Sequence, residues 1–142
     1  MTFQKIFVDK KIDLIIGYLK ESQELFRFSD DDIVRDFNKL HSAERLLQLI
    51  VDTIIDINEH FIKELELPAA EDYQSTFKIL ADNKILSADF AQKIAPAVGL
   101  RNRIVHRYEE VNKAFFLKSF RENVGDFQIY LHCINTYFKQ YQ

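Results

Sequence analysis

Tryptophan is absent from this chain of 142 residues, and glycine, proline and cysteine are scarce, at three, two and one copies. Little material is therefore available for the tight turns that join strands, where glycine supplies positive φ and proline fixes the bend. No alternating apolar and polar run bounded by turn dipeptides occurs either, so the chain reads as all-α. The lone cysteine, Cys133, has no partner for an internal disulfide, which fits a reducing compartment. A formal net charge of only −3 excludes the bulk attraction by which strongly basic chains hold nucleic acid. Any contact with a polyanion must be local. The first thirteen residues break each short apolar run with a charge or an amide, unlike a signal-peptide core. No run approaches the roughly 18 apolar residues of a membrane span. The expectation is a cytoplasmic protein with no membrane partner. Hydrophobic residues make up 47% of the chain, enough for one domain over residues 1–142 with a sizeable core.

Apolar residues recur at helical spacing throughout. A first helix is expected over about 4–26, with Ile12, Ile15, Ile16 and Leu19 on its buried face. Ser29 or Asp30 would cap the next, a long helix over about 31–65 whose stripe runs through Ile33, Phe37, Leu40, Leu47, Ile50, Ile54, Ile57 and Phe61. His41 and His60 on this helix lack a partner at metal-ligand spacing and read as surface histidines. Asp52 and Asp56 share a face. As a metal site they are too few, because ions bound through oxygen want six or more donors; a solvated face or an anchor for arginine suits them better. After the connection Pro68-Ala-Ala-Glu-Asp72, a short helix is expected over about 73–81, and another from Ala88, capped by Ser87. Pro96 should kink or break that helix near Ala95. The last helix, over about 112–141, holds more aromatic residues than one core face needs, a surplus that suits either core packing or a subunit interface.

The densest chemistry lies in Leu100-Arg-Asn-Arg-Ile-Val-His-Arg-Tyr108. Arginine carries a permanent planar charge suited to phosphate oxygens, and histidine ordinarily titrates nearest neutrality. On an ideal helix Asn102 and His106 share a face, with Arg103 about 60° from His106. Arg101 falls roughly 140° away, within the arc of Ile104, Val105 and Tyr108 that would ordinarily face the core. Either this arginine lies between apolar residues and finds a carboxylate, or the arc faces a second subunit.

The run Gly99-Leu-Arg-Asn-Arg-Ile-Val-His-Arg-Tyr108 resembles the HepT-like branch of the HEPN superfamily of all-helical ribonuclease toxins. Pro68, Tyr73, Phe77 and Leu80, and before them Glu44-Arg45 and Asp56, extend the likeness over nearly the whole chain. Its most specific part is Arg-x4-His-x-Tyr within the longer context. The resemblance implies a HEPN-type bundle of about five helices that forms a homodimer, with two motif helices facing each other across a cleft. It makes Arg101 the motif arginine, Asn102 its polar companion and His106 the motif histidine. Tyr108 takes the position at which an MntA-like nucleotidyltransferase antitoxin attaches AMP and silences the toxin. This chain has no Gly-Ser followed by a spaced Asp-x-Asp, so it supplies the target of modification and not the modifier.

The implied activity is metal-independent endoribonuclease cleavage with no cofactor. His106 would serve as general base on a ribose 2′-hydroxyl or general acid on the leaving 5′-oxygen. Arg101 would stabilise charge at the phosphorus, Asn102 would orient the phosphate or the histidine, and Arg103 and Arg107 would guide the RNA backbone. The competing reading is an adaptor that holds RNA or a nucleotide through the same side chains without cleaving it. Turnover distinguishes the two.

Overall fold

The computed structural model describes residues 2–106 and 111–140. Among these, seven helices and no strand are found: α1 (Thr2–Leu25), α2 (Asp30–Arg35), α3 (Phe37–Glu64), α4 (Ser75–Asp82), α5 (Ala88–Ile94), α6 (Pro96–His106) and α7 (Lys113–Gln140). The all-α expectation holds, and the five expected helices appear as seven because two of them are each divided in two. Both additional elements arise where a capping residue or a proline interrupts a longer apolar pattern.

The first interruption is Asp36. The sequence pattern runs from Ile33 through Phe37 to Leu40 as if one helix continued, yet Asp36 takes an extended conformation (φ −105°, ψ 111°) between α2 and α3. Its carboxylate accepts from the amides of Asn38 and Lys39 at 3.0 and 3.2 Å, starting α3 anew. Phe37, expected on the apolar stripe, is consequently 74% exposed. Ile16 likewise lies outside the core, while Ile12, Ile15 and Leu19 are buried as expected. Ser29 and Ser87 cap α2 and α5 through the amides of Asp32 and Phe90. The second interruption is Pro96, which opens α6, the position where its missing N–H breaks no helical bond. Ala95 keeps a helical conformation between α5 and α6, so the chain breaks at the residue expected from sequence.

Helix α3 is the spine. It packs against α1, α2, α4 and α6, and α7 closes the bundle against α1, α2 and α5. From Ala43 to Ile62 it buries thirteen residues, which include the polar Glu44, Thr53 and Asn58. The aromatic surplus of α7 goes largely inward: Phe116, Phe120, Phe127 and Tyr130 are fully buried. Phe115 is the exception at 54% exposure. His41 and His60 are half-buried. The His41 ring meets Phe37 edge-on and its Nδ1 lies 3.1 Å from Glu44 Oε1. His60 stacks on Phe7 at 4.4 Å, and burial holds its pKa below the ordinary histidine value.

Helix α3 ends in a Schellman turn. The amide of Leu67 donates to the Ile62 carbonyl and that of Glu66 to the Lys63 carbonyl, and Glu66 sits at φ 55°. These bonds satisfy carbonyls that the last helical turn would leave open. They also turn the chain back so that residues 71–74 lie beside α6. Helix α4 closes identically, with Ile85 donating to Leu80, Lys84 donating to Ala81, and Lys84 at φ 62°. No helix among the described residues is long and apolar enough to cross a membrane.

Candidate active site

Helix α6 buries Ala97, Val98, Leu100 and Ile104 against the bundle and turns the opposite side outward. Arg103 and His106 are exposed, and Arg101 and Asn102 lie at the boundary. Val105, on the arc that periodicity assigns to the core, is 38% exposed. The buried arc thus centres on Leu100 and Ile104, with Arg101 on its margin.

There Arg101 finds its carboxylate. Its Nε donates to Asp52 Oδ1 of α3 at 2.7 Å, and its Nη1 donates to Asn102 Oδ1 at 3.1 Å. The guanidinium side chain is only 15% exposed. Two of its edges are thus held by protein, while Nη2 makes no hydrogen bond to the described residues. A guanidinium restrained in this way presents its remaining N–H groups in a fixed direction, which suits recognition of a phosphate oxygen. The pairing also separates the two aspartates of α3. Asp52 anchors Arg101, whereas Asp56 takes Lys11 of α1 at 2.9 Å. Among the described residues no group of three or more histidine, cysteine, aspartate or glutamate side chains could hold a metal ion.

Arg101, Asn102, Arg103 and His106 line one wall of an open cleft of about 670 Å³, and Glu71, Asp72 and Tyr73 line the other. The sequence marks the second wall only as a connection and, for Tyr73, as part of a family resemblance. Its chemistry appears once the Schellman turn of α3 folds it back over α6. Asp72 is tied into the start of α4, accepting from the Ser75 amide at 2.8 Å. Hydrogen bonds from Ser75 hold its carboxyl below the ordinary carboxylate value. The cleft is therefore polarised, with cations on the α6 wall and carboxylates opposite. A phosphodiester entering it is drawn to Arg101 and Arg103 and away from Glu71 and Asp72.

The second wall is fixed from inside the core. The buried Tyr130 hydroxyl of α7 donates to Asn58 Oδ1 of α3 at 2.6 Å, and Asn58 Nδ2 donates to Thr76 Oγ1 of α4 at 3.0 Å. The Thr76 hydroxyl then donates to the Tyr73 carbonyl at 2.6 Å. Each donor in this chain meets an acceptor, which is what makes a polar network in the core tolerable. Burial holds the Tyr130 phenol well above its ordinary pKa, so it stays a donor. Gln74 Nε2 reaches across to the Ala95 carbonyl at 3.3 Å, joining this wall to the break that begins α6.

Beyond α6 the start of α7 is held by Lys113, whose Nζ donates to the buried Glu44 carboxylate at 2.9 Å. The structure therefore brings together Arg101, Asn102, Arg103 and His106. Arg107 and Tyr108 lie outside the described residues. Chemically, the cleft combines a restrained guanidinium, an exposed imidazole and a polar amide. That set suits proton transfer at a phosphodiester whose charge is held by arginine.

The family described as Ribonuclease HepT-like matches residues 15–134. A tRNA nuclease HepT of Aphanizomenon flos-aquae is 33% identical over 136 residues, which span 94% of this chain and 91% of that protein. An mRNA nuclease HepT of Shewanella oneidensis is 26% identical over 126 residues, 89% and 94% of the two chains. The structure is similar to that of a tri-AMPylated Shewanella oneidensis HEPN toxin in complex with MNT antitoxin. That likeness has a TM-score of 0.84 at 25% identity and covers 92% of this chain and 97% of the other.

Proposed function

The chain belongs to the Ribonuclease HepT-like family, and on that premise we propose that it is the endoribonuclease toxin of a toxin–antitoxin pair. It acts in the cytoplasm as a single HepT-like domain and cleaves RNA without a metal or cofactor. The observation that carries this reading is the bond from Arg101 Nε to Asp52, which directs the guanidinium into the cleft that His106 lines. His106 takes the 2′-hydroxyl proton or returns one to the leaving 5′-oxygen. Arg101 meets the charge that develops on the phosphoryl oxygens, and Asn102 holds Arg101 and the phosphate in register. Arg103, exposed on the same wall, and Arg107 steer the RNA backbone.

Two copies associate through the outward side of α6. Val105 is apolar and exposed beside His106, and pairing two such helices places one histidine from each copy at a shared phosphodiester, so that one acts as base and the other as acid. The nuclease reading is preferred to the adaptor reading because both curated relatives described above are nucleases.

Tyr108, two residues beyond His106 in sequence, is the position at which a nucleotidyltransferase antitoxin attaches AMP. Each adenylate adds a negative charge and a base beside the motif, competing with RNA for Arg101. Intact mass of wild type and Tyr108→Phe after incubation with ATP, Mg²⁺ and the neighbouring nucleotidyltransferase tests this. Adenylate increments are expected on the wild type alone, with loss of its toxicity. Increments on both proteins, or on neither, rule out Tyr108.

A further inference from the structure

We infer that Tyr73 is a base-binding residue, on whose ring the nucleobase next to the reacting phosphate stacks; this rests on the nuclease reading and extends it to how substrate is held. Tyr73 is 46% exposed although it belongs to a hydrogen-bonded wall. It is the aromatic side chain lining the cleft opposite Arg101 and His106. It also lines a second depression of about 430 Å³, where Ile62, Leu67 and Ala70 meet the charged Glu59, Lys63 and Glu66. Its side chain thus forms the ridge between a polar cleft suited to a phosphodiester and a depression beside it whose apolar patch, Ile62, Leu67 and Ala70, has a largely acidic rim.

A single-stranded RNA needs that combination. Its charged backbone and its flat apolar bases leave the strand in different directions, and proteins that bind unpaired nucleotides place an aromatic face beside a cationic track. Within the cleft the cations among the described residues lie on α6, while Glu71 and Asp72 flank Tyr73, and on its other side Lys63 is outnumbered by Glu59 and Glu66. The backbone is therefore excluded from the Tyr73 side, which leaves that ring to an uncharged base. The position of the ridge does not depend on the ring itself. The buried chain from Tyr130 through Asn58 and Thr76 ends on the Tyr73 main-chain carbonyl, so a substitution at this position removes the face and keeps the wall. Because every base presents a similar π-face, the contact supplies affinity with little sequence preference.

The test compares Tyr73→Ala, Tyr73→Leu and Tyr73→Phe with wild type on a single-stranded RNA, by steady-state cleavage. A second readout on the cleavage-deficient His106→Ala background follows emission from 2-aminopurine placed at each position of the same RNA in turn. Tyr73→Ala and Tyr73→Leu are expected to raise KM about tenfold, the size of one stacking contact, with kcat within about threefold, as for loss of binding shared by ground and transition states. Tyr73→Phe should behave as wild type. At one position the emission should change on binding, and only the Ala and Leu variants should lose that change. A KM indifferent to all three substitutions, a Leu variant equal to Phe, or an emission change that survives in Tyr73→Ala overturns the inference. If the wild type cleaves no RNA, the nuclease reading fails by itself. The emission readout then still decides on stacking, and absence of RNA binding there overturns it.

Discussion

Arg101 and Asp52 are 49 residues apart in sequence and meet at 2.7 Å, Nε to Oδ1, across the contact between α6 and α3. The pair answers a conflict visible in the sequence, where an arginine occupies an arc that should be apolar. On the proposed mechanism it makes Asp52 a positioning residue, acting on the reaction through the guanidinium.

Asp52→Ala should therefore leave the helical content unchanged and lower kcat by on the order of 10²-fold, as expected when a catalytic group loses its alignment. Asp52→Glu, which keeps the charge, should recover part of the loss. Single-turnover cleavage kinetics of both variants check this. Equal activity of Asp52→Ala and wild type would remove Asp52 from the site.

The wall opposite α6 depends on Tyr130. Tyr130→Phe leaves the buried Asn58 oxygen without the donor now at 2.6 Å, and an unsatisfied buried acceptor costs about 1–3 kcal/mol. Urea denaturation should show that loss at neutral pH. The alkaline sign also follows. The folded-state phenol titrates well above its ordinary value of 10.0, so its contribution is fully present below that pH and is lost as pH rises toward the folded value. Wild-type stability should fall above about pH 10, and Tyr130→Phe should fall less steeply.

Two Schellman turns use residues that ordinarily avoid them, Glu66 at φ 55° and Lys84 at φ 62°. The left-handed conformation costs a residue with a Cβ about 1–2 kcal/mol, and glycine's greater freedom when unfolded offsets about half of that. Lys84→Gly, remote from the cleft, should raise stability by about 0.5–1 kcal/mol with unchanged cleavage. Thermal denaturation of the variant measures this directly.

Asp36 divides α2 from α3, and its carboxyl is held below the ordinary value by hydrogen bonds from Lys39 and Asn38. A depressed carboxylate pKa stabilises above the unfolded-state value and loses that contribution as pH falls through the folded one. Asp36→Ala should lower Tm at neutral pH, with the difference from wild type shrinking in acid below about pH 4. A difference independent of pH would show that only its side-chain volume matters.

Much of the fold is legible in the sequence because α1, α3 and α7 carry long apolar stripes, and Ser29, Ser87 and Pro96 mark their own boundaries. Asp36 is harder to read. Ile33, Phe37 and Leu40 keep helical spacing across it, and nothing local distinguishes an aspartate that caps from one that faces solvent. The site shows the same division. Arg101, Asn102, Arg103 and His106 come together because they are neighbours on one helix. Asp52 shows up as a possible anchor without its partner, since the α3–α6 contact is set by tertiary packing. Glu71, Asp72 and Tyr73 enter the cleft only through the turn at Glu66, where the αL residue is not the usual glycine.

On the proposed mechanism His106 and Arg101 cleave RNA by acid–base chemistry and charge stabilisation. The most direct measurement incubates purified wild type, His106→Ala and Arg101→Ala with RNA in excess EDTA and identifies the product ends. Wild type should cleave, leaving 2′,3′-cyclic phosphate and 5′-hydroxyl ends, and each variant should be slower by about 10²–10⁴-fold with an unchanged circular dichroism spectrum. Cleavage by His106→Ala at the wild-type rate, or a wild type that needs added metal to cleave, would contradict that mechanism.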